Sequence, residues 1–177
     1  EVPIKETHPL YGQSPYSASK IAADHLALSF YTSFNLPLVI LRPFNTFGPR
    51  QSKRAIIPTI INQIMHGRNK SIQLGNLTPT RDFNYVTDTA KGIMEIAKNS
   101  DLKGEVVNIG SGEEWSIAET LEMICELIGK KVKVVSNQER VRPEKSEVNR
   151  LIADNTKLLS HTKWKQEVSF EDGLEKT

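Results

Sequence analysis

The chain has 177 residues, 38% of them hydrophobic and 25% charged, with a formal net charge of +2. This composition suits one compact domain or part of a larger one. So small a charge, with Lys and Arg interleaved among acids, speaks against nucleic acid or an anionic membrane as the main partner. A single cysteine, Cys125, rules out an internal disulfide and fits a reducing compartment. No run approaches the roughly 20 apolar residues of a membrane span and no signal peptide opens the chain, so a cytoplasmic location is expected.

The opening, Glu1-Val2-Pro3-Ile4-Lys5-Glu6, carries neither an initiator Met nor a helix or strand signal and reads as a loop entered midway. Ser14-Pro15 starts a helix, with Ser at the N-cap and Pro at the first helical position, where its missing N–H costs nothing. The helix runs to about Phe34 and carries two apolar stripes, Ile21 and Leu28 on one side and Ala22, Leu26 and Phe30 on the other. One stripe suffices to pack on a sheet, so the second predicts a further buried contact, such as a partner subunit.

Leu38–Leu41 is a continuous apolar run, expected as a buried parallel strand. Arg42-Pro43 ends it, and a loop containing Gly48-Pro49 follows. The pattern predicts a helix over Ile56–His66 ending at Gly67, strands near Ile72–Leu74 and Asp82–Val86, and a helix over Asp88–Lys98 with Ile93, Ile96 and Ala97 inward. Val106–Ile109 is a second buried strand, followed by Gly110-Ser111-Gly112. Ser116 and Glu119 form a capping box for a helix through Ile128. Val132–Val135 is a strand by β-branched content, and the tail from Ala153 reads as short helices. Strands alternating with helices imply an α/β fold.

Tyr16-Ser17-Ala18-Ser19-Lys20 is the sharpest chemical feature. Positions four apart share a helix face, so the phenol and the ammonium meet one site. A phenol ordinarily ionises far above neutral pH. A neighbouring cation and the positive end of the helix both favour the phenolate, which makes such a pair a general acid/base for a hydroxyl proton. Tyr and Lys at this spacing also occur by chance in many helices, so the pair gains weight only from its surroundings.

Those surroundings are Ser14-Pro15-Tyr16-Ser17-Ala18-Ser19-Lys20, Leu41-Arg42-Pro43-Phe44-Asn45-Thr46-Phe47-Gly48-Pro49-Arg50, Arg81-Asp82-Phe83-Asn84-Tyr85-Val86 with Asp88, Val107-Asn108-Ile109-Gly110-Ser111-Gly112 and Arg142-Pro143-Glu144. In order and interval they closely resemble the extended short-chain dehydrogenase/reductases of the NAD-dependent epimerase/dehydratase type. The resemblance implies that Tyr16 is the catalytic acid/base and that Lys20 holds the nicotinamide ribose. It implies that Pro43 and Phe44 line the nicotinamide pocket of NAD, and that Asn45, Arg81, Asn108 and Arg142 bind the diphosphate of a nucleotide-sugar. Arginine suits that role, because its planar donors match phosphate oxygens in pairs. Arg54, Arg68 and Arg140 read as solvated surface residues; Arg50 and Lys53 stay open.

Other motifs carry less. Gly110-Ser111-Gly112 imitates a dinucleotide loop, but Trp115 stands where a small residue must let helix and strand pack closely, so it reads as a turn feeding the capped helix. The four histidines are scattered, and no metal site is expected. Ser17 and Ser19 lack His/Asp partners nearby in sequence for a hydrolase triad. Phe44, Phe47, Trp115 and Trp164 read as core or turn packing.

The resemblance implies an α/β fold comprising the C-terminal part of a Rossmann-like parallel sheet and the small α/β substrate-binding domain. Residues 1–50 would end the NAD-binding domain, and residues 51–177 would form mainly the nucleotide-sugar domain, with 82–112 returning in part to the Rossmann sheet. The phosphate-binding glycine loop, the ribose-binding acid and the Ser/Thr partner of Tyr and Lys would lie in roughly 120 residues before Glu1, several βαβ units' worth. The segment by itself is expected to be inactive and its parent to be an enzyme.

Detailed wording, notably Arg142–Val148 and Ser14–Asp24, is similar to the 4,6-dehydratases of the legionaminic acid pathway, which act on a nucleotide-linked N-acetylglucosamine for surface glycans. That implies oxidation at C4, loss of water across C5–C6 and hydride return to C6. A 4-epimerase is the alternative, and a non-catalytic nucleotide-binding fragment the second. The double-striped helix from Pro15 matches the helix-bundle homodimers common in the family.

Overall fold

The computed structural model describes residues 1–67, 71–137, 143 and 146–177. Helix α1 spans Pro15–Phe34 and opens on a capping box: Ser14 Oγ accepts from Ser17 N at 3.1 Å, and Ser17 Oγ accepts from Ser14 N at 2.9 Å. Pro15 follows the cap, as its missing N–H and fixed φ favour. The helix closes on Asn35 in the left-handed conformation. None of its residues is fully buried. Ile21 and Leu28 are half-buried, whereas Ala22, Leu26 and Phe30 face outward, Leu26 being 61% exposed. The two stripes of the sequence are therefore real, and the molecule covers only one of them.

The short link Asn35–Val39 turns the chain back into β1 (Ile40–Pro43), which begins two residues later than the apolar run predicts. Phe44 then switches partners. Its N–H donates to Ile109 O at 2.8 Å, while the N–H of Asn45 donates to Asp82 O at 3.1 Å. So β1 pairs in parallel with β6 (Val106–Ile109), and β2 (Asn45–Phe47) pairs in parallel with β5 (Phe83–Tyr85). Helix α2 (Ile56–His66) and β3 (Ser71–Leu74) follow. β4 (Thr80–Arg81) lies between β7 (Trp115–Ser116) and β9 (Arg150–Leu151), and β3 pairs in parallel with β8 (Lys133–Ser136). The remaining helices are α3 (Val86–Lys98), α4 (Ile117–Ile128), α5 (Thr156–His161) and α6 (Phe170–Glu175).

Two apolar cores result. The larger joins α2 and α4 to the strands through Ile57, Ile60, Leu74, Phe83, Leu121 and Ile124, with Phe170 of α6 stacked on Phe83. The smaller gathers Ile96, Leu102, Val107, Ile109, Leu158 and Trp164 around β6. Phe47 and Trp164 are core residues, as expected, and Trp115 stacks on Phe170.

Four expectations need correction. The strand anticipated over Asp82–Val86 is shorter at both ends, Phe83–Tyr85, and α3 begins at Val86 rather than Asp88. The inward face of α3 is Asp88, Thr89, Gly92 and Ile96, while Ile93 is 42% exposed and Ala97 is also exposed. The cause is the C-terminal segment, which lies along that face. Trp164 Nε1 donates to Asp88 O, and the N–H groups of Glu167 and Val168 donate to Asp88 Oδ2. A Cβ on Gly92 would stand 3.3 Å from Trp164 Nε1, so close approach and polar anchoring select this face. Last, β8 is displaced by one residue from Val132–Val135.

Candidate functional site

The carboxyl end of β1 is where an open α/β sheet places its ligands. Because α1 leads into β1 through a short link, it runs antiparallel to that strand, and its first turns lie beside the strand's carboxyl end. Arg42 fixes the level: Nε donates to Asp24 Oδ2 at 2.8 Å and Nη1 to Glu6 O at 3.0 Å. Lys20 and Tyr16 lie one and two turns earlier, about 6 and 12 Å up the axis, which brings them towards Pro43 and Phe44. Tyr16 is 71% exposed, and Lys20 Nζ sits 5.6 Å from its ring centroid. At an exposed site such a cation–π contact contributes roughly 0.5–1 kcal/mol. Tyr16 and Lys20 therefore lie together on an open face.

A cavity of about 420 Å³ lies behind the strand switch, within the usual range for small-molecule sites. Asn45, Gln51, Arg54, Arg81, Phe83 and Glu147 contribute to its lining, as do Ala55–Ile57 at the start of α2. That helix start has no side-chain cap. Ala55 N donates to Ser52 O and Pro58 has no N–H, so the N–H groups of Ile56 and Ile57 are those the helix start can offer an anion. Arg81 is mostly buried and held in place: Nη1 donates to Thr80 O at 2.8 Å and Val148 O at 2.7 Å, and Nη2 to Glu147 Oε1 at 3.3 Å.

Five buried side-chain polar atoms among the described residues have no partner, and two of them, Asn45 Oδ1 and Gln51 Oε1, belong to residues of this lining. A buried acceptor left unmade costs about 1–3 kcal/mol, which marks this corner as a place where a ligand's donors belong.

The structure thus brings Asn45 and Arg81 together in one cavity and places Tyr16, Lys20, Pro43 and Phe44 at the neighbouring strand end. Asn108 lies elsewhere. It is buried, its Nδ2 donating to Ile4 O at 2.9 Å and Asp154 O at 3.4 Å, so its amide ties the opening segment to the chain's end. Arg142, like Arg68 and Arg140, falls outside the described residues. Arg54, read as a surface residue, is exposed yet lines the cavity. Gln51 and Glu147 escaped sequence reasoning, since an amide or an acid in a loop carries no spacing signal.

Gly110-Ser111-Gly112 serves a neighbouring acid. Asp82, fully buried, accepts from Ser111 N at 2.8 Å and Ser111 Oγ at 2.7 Å through Oδ1, and from Gly112 N and Ala153 N at 3.0 Å through Oδ2. A Cβ on Gly110 would meet Ala153 Cβ at 2.5 Å and Asp82 Oδ2 at 2.6 Å. The tight turn is a cradle for a carboxylate of the chain itself.

Residues 1–177 match the model of the family described as GDP-mannose 4,6 dehydratase. The chain belongs to this family. It is an extended short-chain dehydrogenase/reductase of the epimerase/dehydratase type, as its motifs implied. It is similar to the low-salt glycan biosynthesis protein Agl12 of Haloferax volcanii, with 37% identity over 96% of this chain and 53% of the relative. It is also similar to dTDP-glucose 4,6-dehydratase of an Actinoplanes species, with 31% identity over 97% of this chain and 52% of the relative. Among solved structures it matches UDP-glucuronic acid 4-epimerase from Bacillus cereus in complex with UDP-glucuronic acid and NAD, with a TM-score of 0.83 and 31% identity over 95% of this chain and 51% of that one. The chain spans about half the length of these relatives. Dehydratases, epimerases and a GDP-6-deoxy-D-mannose reductase all stand among its relatives, so the family does not fix the reaction. No described helix is long and apolar enough to cross a membrane, and no metal-binding cluster occurs among the described residues.

Proposed function

We propose that this chain forms the catalytic tyrosine helix and the nucleotide-sugar pocket of an NAD-dependent nucleotide-sugar 4,6-dehydratase. What supports the reading is the exposed Tyr16–Lys20 pair together with a cavity that holds Asn45 and Arg81. The donor set suits both ligands. Arg81 and the uncapped start of α2 offer cation and N–H to a diphosphate. Arg142 joins them in this proposal by its motif. Asn108 would act at one remove, by holding the opening segment against β6.

For NAD, Lys20 would hold the ribose, and Pro43 and Phe44 would flank the nicotinamide. NAD, when bound, would supply the acceptor and donor for a hydride of the sugar. Tyr16 would take up the hydroxyl proton at C4 as that carbon becomes the ketone it remains in the product, this proton making good the one that leaves with the C6 hydroxyl as water, and Lys20 would hold its cation beside the phenol. Residues 1–50 would complete the cofactor domain and 51–177 the sugar domain, with 82–112 shared. The uncovered stripe of α1, with Leu26, Phe30 and Phe34 exposed, would seat a second copy in a homodimer.

The test is turnover by the full-length protein offered UDP-N-acetylglucosamine and dTDP-glucose. A 4-keto-6-deoxy product, lighter by one water and carrying solvent deuterium at C5, supports the dehydratase. A C4 epimer of unchanged mass without that label makes the protein a 4-epimerase. Diphosphate binding without either product leaves only a binding module.

A further inference from the structure

We infer that Gln51 is a specificity-determining residue, accepting a hydrogen bond from a neutral donor, a hydroxyl or an acylamino N–H, on the sugar of the bound nucleotide-sugar. The inference rests on reading the cavity as a nucleotide-sugar site. Gln51 lines that cavity just after Arg50, whose φ of 67° turns the loop sharply. Its amide is oriented: Nε2 donates to Thr46 O at 2.8 Å. With the nitrogen committed to the backbone, the other end of the amide is Oε1, which is buried and has no partner. Asn45 Oδ1, in the same lining, is in the same condition.

Two acceptor oxygens select against phosphate. Phosphoryl oxygens at neutral pH are acceptors as well, and two acceptors facing each other leave both unmade. Sugar hydroxyls and acylamino N–H groups are donors and complete the pair. The positive groups of the lining are Arg81 of β4, the start of α2 and the exposed Arg54 of the loop after Gln51. The cavity therefore offers cations to an anion and two buried acceptors to neutral donors. A sugar joined to a diphosphate satisfies both, which moves the Asn45 oxygen from the diphosphate to the sugar.

The experiment measures binding of UDP, dTDP and GDP to the full-length protein by calorimetry. It then measures the glucose and N-acetylglucosamine conjugates of whichever diphosphate binds. Gln51→Met fills similar volume without the acceptor, and Gln51→Glu keeps an acceptor. Gln51→Met is expected to lose about threefold to tenfold in affinity for the sugar conjugate and to leave the bare diphosphate unchanged. Gln51→Glu is expected to keep the ratio of conjugate to diphosphate affinity above that of Gln51→Met. An equal loss for conjugate and bare diphosphate, or no loss for either, overturns the assignment while the nucleotide site stands. Failure of the unaltered protein to bind any of the three diphosphates overturns the reading of the cavity, and the inference with it.

Discussion

Two polar clusters lie side by side where β2 meets β5, and they are opposites. Asp82 keeps its charge out of water entirely, yet four donors from Ser111, Gly112 and Ala153 surround it. Asn45, whose N–H donates to the backbone oxygen of that same Asp82, carries an acceptor with no donor, as does Gln51 across the loop. A chain that could supply four donors to one carboxylate was not short of means to satisfy two amides. In this corner the fold completes the carboxylate and leaves the two amide oxygens of the cavity open.

That contrast can be broken first at its chemical end. The Tyr16 side chain stands in the open beside Lys20, so Tyr16→Phe should leave stability untouched. It should lower turnover of the full-length protein by about 10²–10⁴-fold, the usual share of a general acid/base. Thermal unfolding and single-turnover rates measure the two halves. A variant that loses stability and rate together would make Tyr16 structural.

At the architectural end, Asp82→Asn keeps the shape but turns an NH₂ group towards backbone N–H donors. With charge-assisted bonds lost and buried donors orphaned, it should destabilise the protein by about 3–5 kcal/mol, read from the denaturant midpoint. A loss under about 1 kcal/mol would mean that the cradle is ornamental. Arg81 stands between the two regimes, since it binds Val148 and Glu147 while lining the cavity. Arg81→Gln should weaken binding of a nucleoside diphosphate by roughly tenfold to a hundredfold. Its effect on the nucleoside should be small, and equal losses for both would deny the arginine a phosphate.

These expectations also mark how far the sequence could be read. Helix α2 and strand β6 lie where their patterns place them, because both signals are local: an apolar run with its stop, and a buried strand before glycine. Tyr16, Lys20, Asn45 and Arg81 stood out through the motifs that carry the family resemblance, and their roles are part of the proposal. Gln51 did not stand out, because nothing distinguishes a loop glutamine until the fold buries its oxygen. The inward face of α3 failed differently. Counting apolar residues favours Ile93 and Ala97, but Trp164, seventy-two residues beyond Gly92, selects the glycine and Asp88. Asn108 was legible as a motif member, but its amide's link to Ile4 and Asp154 appears only when both ends of the chain converge on β6.

A surface carboxylate sharpens the comparison at its weak end. Glu119 is completed by the molecule, as Asp82 is, but on the surface: Oε2 accepts from Ser116 Oγ at 2.7 Å and Ser116 N at 2.8 Å. The Ser116 hydroxyl, then its N–H, holds this carboxyl below its ordinary value of 4.5. A carboxyl with a lowered folded value contributes stability that is present above the ordinary value and is lost as pH falls through the folded one. Ser116→Ala removes the cap and one of those two bonds, and should cost about 1 kcal/mol at pH 7. In acid, Glu119 protonates in both proteins, so the difference between them should narrow. Denaturant midpoints at pH 7 and below the folded value of Glu119 decide it. A difference that holds constant would assign the whole effect to the Ser116 cap and leave the carboxylate no share.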